Sequence, residues 1–232
     1  MDPATPAAGV RPVRGPALAA VVTLAVYALV RVVGSGLSLW RVTIIERMLV
    51  DSGSVRPLEV EVTNTLLLGA AYVKVGVFAL AAVAFLAWLH RVRGNAEVLA
   101  PGPHRRARPW VILGWFVPLV NLWFPKQVVE DVWNASKPGA PVPSLPLARR
   151  SVLVWAWWNA FVISFWVLDV VTVLLWRSDL ESLREMARVD VVGSVCWAGT
   201  GALAAYVVMK ITRNQEARLD VLPQFIVNLP IK

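Results

Sequence analysis

Charged residues and cysteine are both scarce in this chain. Only 16% of its 232 residues are Asp, Glu, Lys or Arg, whereas soluble domains carry about 25%. Together with 57% hydrophobic residues and a mean hydropathy of +0.61, this shortage argues against a soluble globular protein. The single cysteine, Cys196, excludes an intrachain disulfide and a cysteine-based metal cluster.

Sequence signatures of enzymes are also lacking. The two histidines, His90 and His104, flank a basic loop and have no convincing set of metal ligands around them. We find no phosphate-binding glycine loop, no paired zinc motif and no plausible Ser-His-Asp arrangement. We therefore expect no enzymatic activity, no metal and no cofactor.

Long apolar runs are what the chain has in abundance. A membrane-crossing helix needs about 20 apolar residues, and four segments reach that length: 17–40, 64–89, 151–176 and 190–211. The twelve tryptophans fit this interpretation, because indole rings favour the boundary between lipid and water.

These runs predict an all-α fold, a polytopic membrane helix bundle with four transmembrane helices. Within it we expect a single membrane domain over residues 17–218. A short disordered cytoplasmic tail (residues 1–16) would precede the domain, and a C-terminal tail (residues 219–232) would follow it.

A fifth apolar run, residues 110–124, is interrupted by Pro118 and Asn121. Its roughly 15 residues would rise ~22 Å as a helix, which is short of the ~30 Å hydrocarbon core. After it, Pro125 suits the first position of an amphipathic helix over residues 125–136. We predict a non-spanning wedge followed by an interfacial helix, serving as a bracket that packs the bundle. The alternative is a re-entrant element that lines a cavity.

The distribution of basic residues predicts the topology. With four crossings, fifteen Lys and Arg lie on the cytoplasmic side (two in the N-terminal tail, nine in residues 90–150 and four near the C-terminus) and six lie outside. A fifth crossing would remove this bias, so the positive-inside rule favours four crossings with both termini in the cytoplasm. Because the basic residues flank the spans and form no aromatic-interleaved face, we expect anionic lipid headgroups as partners and no nucleic acid.

The central string GWFVPLVNLWFPKQVVEDVWNAS (residues 114–136) resembles the hallmark of a bacterial membrane family known as DUF4328, a domain of unknown function. The similarity extends to VWAWWNAF at 154–161 and VVMKITRNQEAR at 207–218, and so covers roughly residues 20–218. The resemblance implies a multi-span membrane fold, and brings no known activity, cofactor or catalytic residue. The motif positions are Trp115, Pro118, Asn121, Trp123, Pro125, Gln127, Asp131 and Trp133.

Three ionisable residues, Arg31, Lys74 and Asp169, fall inside predicted spans. Their distances from the outer ends of those spans agree within roughly 5 Å at the helical rise, so we expect them to meet in the outer half of the bundle. A charge at mid-bilayer costs about 2.5–3.5 kcal/mol, which makes such a group a candidate site. One interpretation is a structural staple in which Asp169 neutralises one cation and the other snorkels outward. The other is a small anion site around a leftover positive charge, to which Asn159 could contribute.

Two function classes follow from these features. The first is a structural or accessory protein of the plasma membrane that binds partners or lipid. The second is a small transporter or channel-like protein that uses the polar cluster. With only four crossings, the second would need to oligomerise, so a second copy and an unknown membrane protein both stand as candidate partners.

Overall fold

The computed structural model describes residues 10–101, 104–138, 150–174, 177 and 179–227. Most of the expected N-terminal tail (residues 1–9), the end of the third predicted span (175–176) and the last residues (228–232) lie outside the described part. The described residues form helices and connecting loops, with no strand among them.

Four helices are long and apolar enough to cross a membrane, which confirms the predicted all-α fold class. Shorter helical segments lie between them or follow them. The elements are α1 (Arg14–Val50), a 3₁₀ turn (Ser52–Ser54), α2 (Pro57–Leu99), α3 (Trp110–Leu113), α4 (Pro118–Asn121), α5 (Phe124–Ala135), α6 (Val152–Val162), a π-helical stretch (Ile163–Val171), α7 (Thr172–Leu174) and α8 (Leu180–Val227).

The last helix is much longer than the predicted span of residues 190–211. At its start, Asp179 caps the helix by accepting 2.9 Å hydrogen bonds from the Ser182 backbone nitrogen and hydroxyl. Ion pairs one turn apart, such as Arg188 with Glu185 at 2.9 Å, support the polar first turns. The expected C-terminal tail from residue 219 also begins as a continuation of this helix.

The third apolar helix changes type partway along. It starts as an α-helix, and from Ile163 to Val171 it adopts the wider π-helical winding. π-Helical geometry is rare, occurs mostly as single-turn bulges within α-helices, and is frequently found at functional sites. The change of winding shifts the direction of every later side chain, including that of Asp169.

The chain divides into two compact units, each assembled from separate stretches. Unit 2 comprises Val22–Ala81 and Trp157–Ala204. Its core is aromatic: Tyr27 and Trp197 are buried and their rings meet edge-on at 5.3 Å. In α8, the backbone at Gly201 packs against α1: a Cβ there would lie 3.6 Å from the Leu24 carbonyl oxygen, an ordinary van der Waals contact.

Unit 1 comprises Met1–Val21, Ala82–Ala156 and Ala205–Lys232. Its buried core includes a polar centre, Gln215, which donates hydrogen bonds to the Val92 carbonyl (2.9 Å) and the Ser136 hydroxyl (3.1 Å). One guanidinium closes two helix ends: Arg218 donates to the carbonyls of Leu99 and Ala135, the last residues of α2 and α5. A cation at this position donates hydrogen bonds to carbonyls that have no partner within the helix, and it interacts favourably with the negative end of each helix dipole.

Candidate functional site

Arg31 is the most deeply buried charge of unit 2. Its side chain is only 3% exposed, although it sits in the apolar helix α1. The guanidinium Nη1 donates to Asp169 Oδ1 at 3.4 Å, and Nη2 lies 3.7 Å from Asp190 Oδ1. Carboxylates from two other elements therefore hold this cation in place.

Asp190 links Arg31 to the second cation of the unit. Lys74 Nζ donates to Asp190 Oδ1 at 3.1 Å, and the Ser38 hydroxyl donates to Asp190 Oδ2 at 2.7 Å. We refer to Arg31, Lys74, Asp169 and Asp190 as the four-charge cluster. The structure thus brings the three predicted ionisable residues together through a fourth that the sequence analysis leaves out.

Asp169 projects from the π-helical stretch. Besides Arg31, it accepts a 2.9 Å hydrogen bond from Trp197 Nε1. Its side chain is 35% exposed, and that of Asp190 is 28% exposed. Both carboxylates are thus partly exposed at the surface of the unit, whereas the Arg31 guanidinium is buried beneath it.

A glycine makes room for the buried guanidinium. Gly193 lies one turn after Asp190 on α8, and a Cβ at this position would approach Arg31 Nη2 to 3.1 Å. That distance is shorter than an ordinary van der Waals contact, so a larger side chain would push the guanidinium away from its carboxylates.

The charges of the cluster balance. Two cations face two carboxylates, so Asp190 removes the leftover positive charge on which the anion-site hypothesis depends. Two nitrogen atoms of Arg31, Nε and Nη2, are buried and have no hydrogen-bond partner within the described part of the chain. The remaining predicted member, Asn159, is an exposed side chain ten residues before Asp169.

The motif residues lie in unit 1, where Pro118 and Asn121 form the ends of α4. The Asn121 amide donates a 2.5 Å hydrogen bond to the Trp115 carbonyl. This bond provides the partner that a broken helix needs in an apolar setting. Pro125 is the second residue of α5, one position later than expected.

The polar face of α5 differs from the prediction. An interfacial helix would leave that face to the headgroups, but Glu130 is 2% exposed and Asp131 is largely covered. Arg105 covers both, with Nε 2.7 Å from Asp131 Oδ1 and Nη2 3.1 Å from Glu130 Oε2. Gln127 accepts a 2.7 Å hydrogen bond from Arg106 Nε. Helix α5 is therefore covered on its polar face as well as on its valine face.

These contacts alter ionisation around α5. Burial alone would lower the pKa of Arg105, but the negative charges of Asp131 and Glu130 outweigh it and raise that pKa above its ordinary value. Burial lowers the pKa of Lys126, whose Nζ lies 3.1 Å from the centre of the Trp155 ring.

The other motif tryptophans differ in exposure. Trp123 is 47% exposed, Trp133 is half-buried, and the Trp115 ring meets Phe85 edge-on at 5.7 Å. Among the described residues, no three His, Cys, Asp or Glu side chains are placed to hold a metal ion. The expected absence of a cofactor and of enzymatic activity stays a prediction.

Four span-like helices and an ion-pair cluster between apolar elements define this chain as a multi-span helical membrane protein. A profile of the family described as "Domain of unknown function (DUF4328)" matches residues 51–213, and the chain belongs to that family, as the central string predicts. Searches of curated proteins and of solved structures find no match.

Proposed function

We propose that the protein is a structural or accessory component of the bacterial plasma membrane. In this proposal, the four-charge cluster fastens the apolar helices of unit 2. The observation that carries the proposal is the balance of charge around the buried Arg31, which contacts carboxylates from two other elements. Such a group is costly to break, because removal of one partner leaves an uncompensated buried charge.

A transporter or channel-like function is the second candidate. Asp169 lies in a π-helical stretch, and about a third of its side chain is exposed. A partly accessible carboxylate on a helix of irregular winding is a feature of proton and ion pathways.

Reconstitution into liposomes separates the two candidates. A structural protein gives proton and ion flux equal to that of empty liposomes, and Asp169→Asn leaves this baseline unchanged. Flux above the baseline that Asp169→Asn abolishes, in a variant that still folds, would support the transporter and reject the structural proposal. Ser35→Ala, on an exposed part of α1, is the control for handling and reconstitution.

The proposal places both termini in the cytoplasm and residues 110–135 on the cytoplasmic side. A cysteine-accessibility map tests this arrangement in a Cys196→Ser background. Ala107, Pro138 and Ser52 are exposed positions in three connections. We expect Ala107→Cys and Pro138→Cys to be labelled from the inside only, and Ser52→Cys from the outside. Labelling of positions 107 and 138 from opposite sides would mean that residues 110–124 cross the membrane.

A further inference from the structure

A groove of about 640 Å³ lies on unit 1, along the C-terminal half of α2. The α2 residues that line it recur at intervals of three and four, from Val83 to Val98. They therefore form one continuous stripe on the helix surface. Over 15 residues this stripe rises about 22 Å, which suits an elongated ligand.

The two ends of the stripe differ in chemistry. The first part is apolar, with Val83, Leu86 and Ala87 on α2 and Ile112 on α3. Val83 is 67% exposed and Ile112 is 41% exposed, so this apolar wall is open. One turn further along α2, the lining becomes basic at His90 and Arg91, before it continues to Val98.

The basic end carries positive charge that the described residues neutralise only in part. Arg11, Arg91 and Arg108 line it. Arg108 forms an ion pair with Glu97, with 2.6 Å between Nη2 and Oε2. In the described part of the chain, Arg11 and Arg91 form no ion pair, and Arg91 donates only to the Pro12 carbonyl at 3.1 Å. Two guanidinium groups are thus left for an anion.

The floor of the groove is a glycine inside a helix. Gly94 disfavours a helix relative to alanine, yet a Cβ there would meet only Arg108 Nη2, at an ordinary 3.7 Å. Packing within unit 1 therefore does not require a glycine at this position. A small residue here leaves space in the groove that alanine would barely reduce and that a large side chain would fill.

We propose that this groove binds a glycerophospholipid with an anionic headgroup. The phosphate contacts Arg11 and Arg91, and an acyl chain lies along Val83, Leu86 and Ile112. Basic pockets next to membrane helices bind anionic headgroups, and each Lys or Arg near an anionic membrane surface strengthens binding about fivefold. The site deepens the proposed accessory function by naming a lipid as the partner. It rests on the proposed membrane location, but it does not depend on the four-charge cluster.

Native mass spectrometry of the full chain, with phosphatidylglycerol and phosphatidylcholine at equal concentration, tests the site. We expect retained phosphatidylglycerol to exceed retained phosphatidylcholine, and Arg11→Gln/Arg91→Gln to weaken its binding about thirtyfold. The matched control is Lys210→Gln/Arg213→Gln, which removes the same charge from two exposed residues of unit 1 that do not line the groove. The control should change binding less than about twofold.

A second pair of variants tests the shape of the groove without changing its charge. Gly94→Leu should lower retained phosphatidylglycerol as strongly as the double variant Arg11→Gln/Arg91→Gln does, while Gly94→Ala should retain the lipid. Both glycine variants should melt near the wild-type temperature.

Equal losses of lipid in Arg11→Gln/Arg91→Gln and in the control Lys210→Gln/Arg213→Gln would overturn the site, because the binding would then depend only on the overall surface charge. Equal retention of the two lipids, or displacement by soluble glycerol phosphate alone, would also overturn it. Liposome flux tests the cluster independently, so the two proposals can fail separately.

Discussion

Among the described residues, each unit contains one buried arginine next to carboxylates, and the two surroundings differ. In unit 2, Arg31 has contacts of 3.4 and 3.7 Å to carboxylates that are about one-third exposed. In unit 1, Arg93 is 2% exposed and belongs to what we call the α5 cluster. The members of the α5 cluster are Arg93, Glu97, Arg105, Arg108, Glu130 and Asp131.

The α5 cluster is redundant, whereas the four-charge cluster depends on one residue. Glu97 binds Arg93 at 3.1 Å and also Arg108 at 2.6 Å. Asp131 has its main partner in Arg105 at 2.7 Å, with Arg93 farther away at 3.9 Å. Asp169, by contrast, has Arg31 as its one cationic partner among the described residues. The same residue type should therefore contribute differently to stability in the two units.

The largest expected effect is that of Arg31→Leu. This change leaves Asp169 without a cation and Asp190 with only Lys74, so the loss should be about 3–5 kcal/mol of unfolding free energy. Unfolding by denaturant in lipid bicelles measures it. Arg41→Leu, on the same helix with no ion pair among the described residues, is the control. A loss below about 1 kcal/mol would remove the distinction between the clusters.

A smaller loss is expected from Arg93→Leu. Arg105 and Arg108 continue to neutralise Asp131 and Glu97, so the cost should be about 1–3 kcal/mol, mainly for the hydrogen bond to the Arg106 carbonyl. The same unfolding measurement applies. If Arg93→Leu lowered the unfolding free energy as much as Arg31→Leu does, the additional ion pairs of the α5 cluster would not compensate for the loss of Arg93.

Lys74→Leu should have a smaller effect again. The lysine side chain is 33% exposed, and Asp190 keeps Arg31 and the Ser38 hydroxyl as partners. Half-exposed pairs contribute about 0–1 kcal/mol, so the expected loss lies in that range. A loss equal to that of Arg31→Leu would show that Lys74, rather than Arg31, is the central cation of the cluster.

The smallest expected effect is a pH dependence at His104, beside the α5 cluster. Burial, and then the charge of Arg93, lower the pKa of His104, while Asp131 and Glu97 act in the opposite direction. Because its pKa is lower in the folded state than the unfolded value of about 6.5, the unfolded chain binds more protons, and stability falls as the pH drops below that value. His104→Gln should flatten the stability profile as the pH falls below about 6.5. An unchanged slope would contradict this.

Sequence patterns predict much of the fold because the membrane constrains it strongly. Four long apolar runs are sufficient to predict four span-like helices, and the positions of Arg31 and Asp169 along their runs predict that the two residues meet. The family assignment follows from the central string. Each of these predictions depends on local composition, or on residue spacing converted to distance by the known helical rise. Both can be read from the sequence.

Other features depend on geometry that composition does not encode. The charges of residues 177–190 have helical spacing that indicates only a short surface helix, but an aspartate cap and ion pairs make this stretch continuous with the following span. Asp190 therefore lies within one long helix. The π-helical winding around Asp169 has no sequence signal that we can identify. The coverage of Glu130 by Arg105 is equally unpredictable, because the two residues are far apart in the chain and only tertiary packing brings them together.

A double-mutant cycle on Arg31 and Asp169 tests most directly whether the charges of unit 2 act by pairing. The cycle compares the unfolding free energies of Arg31→Leu, Asp169→Leu and the double variant in the same bicelles. We expect a coupling energy of at least about 1 kcal/mol, with the double variant more stable than the sum of the single losses implies. Additive losses, with a coupling below about 0.5 kcal/mol, would contradict the structural function that we propose for the cluster.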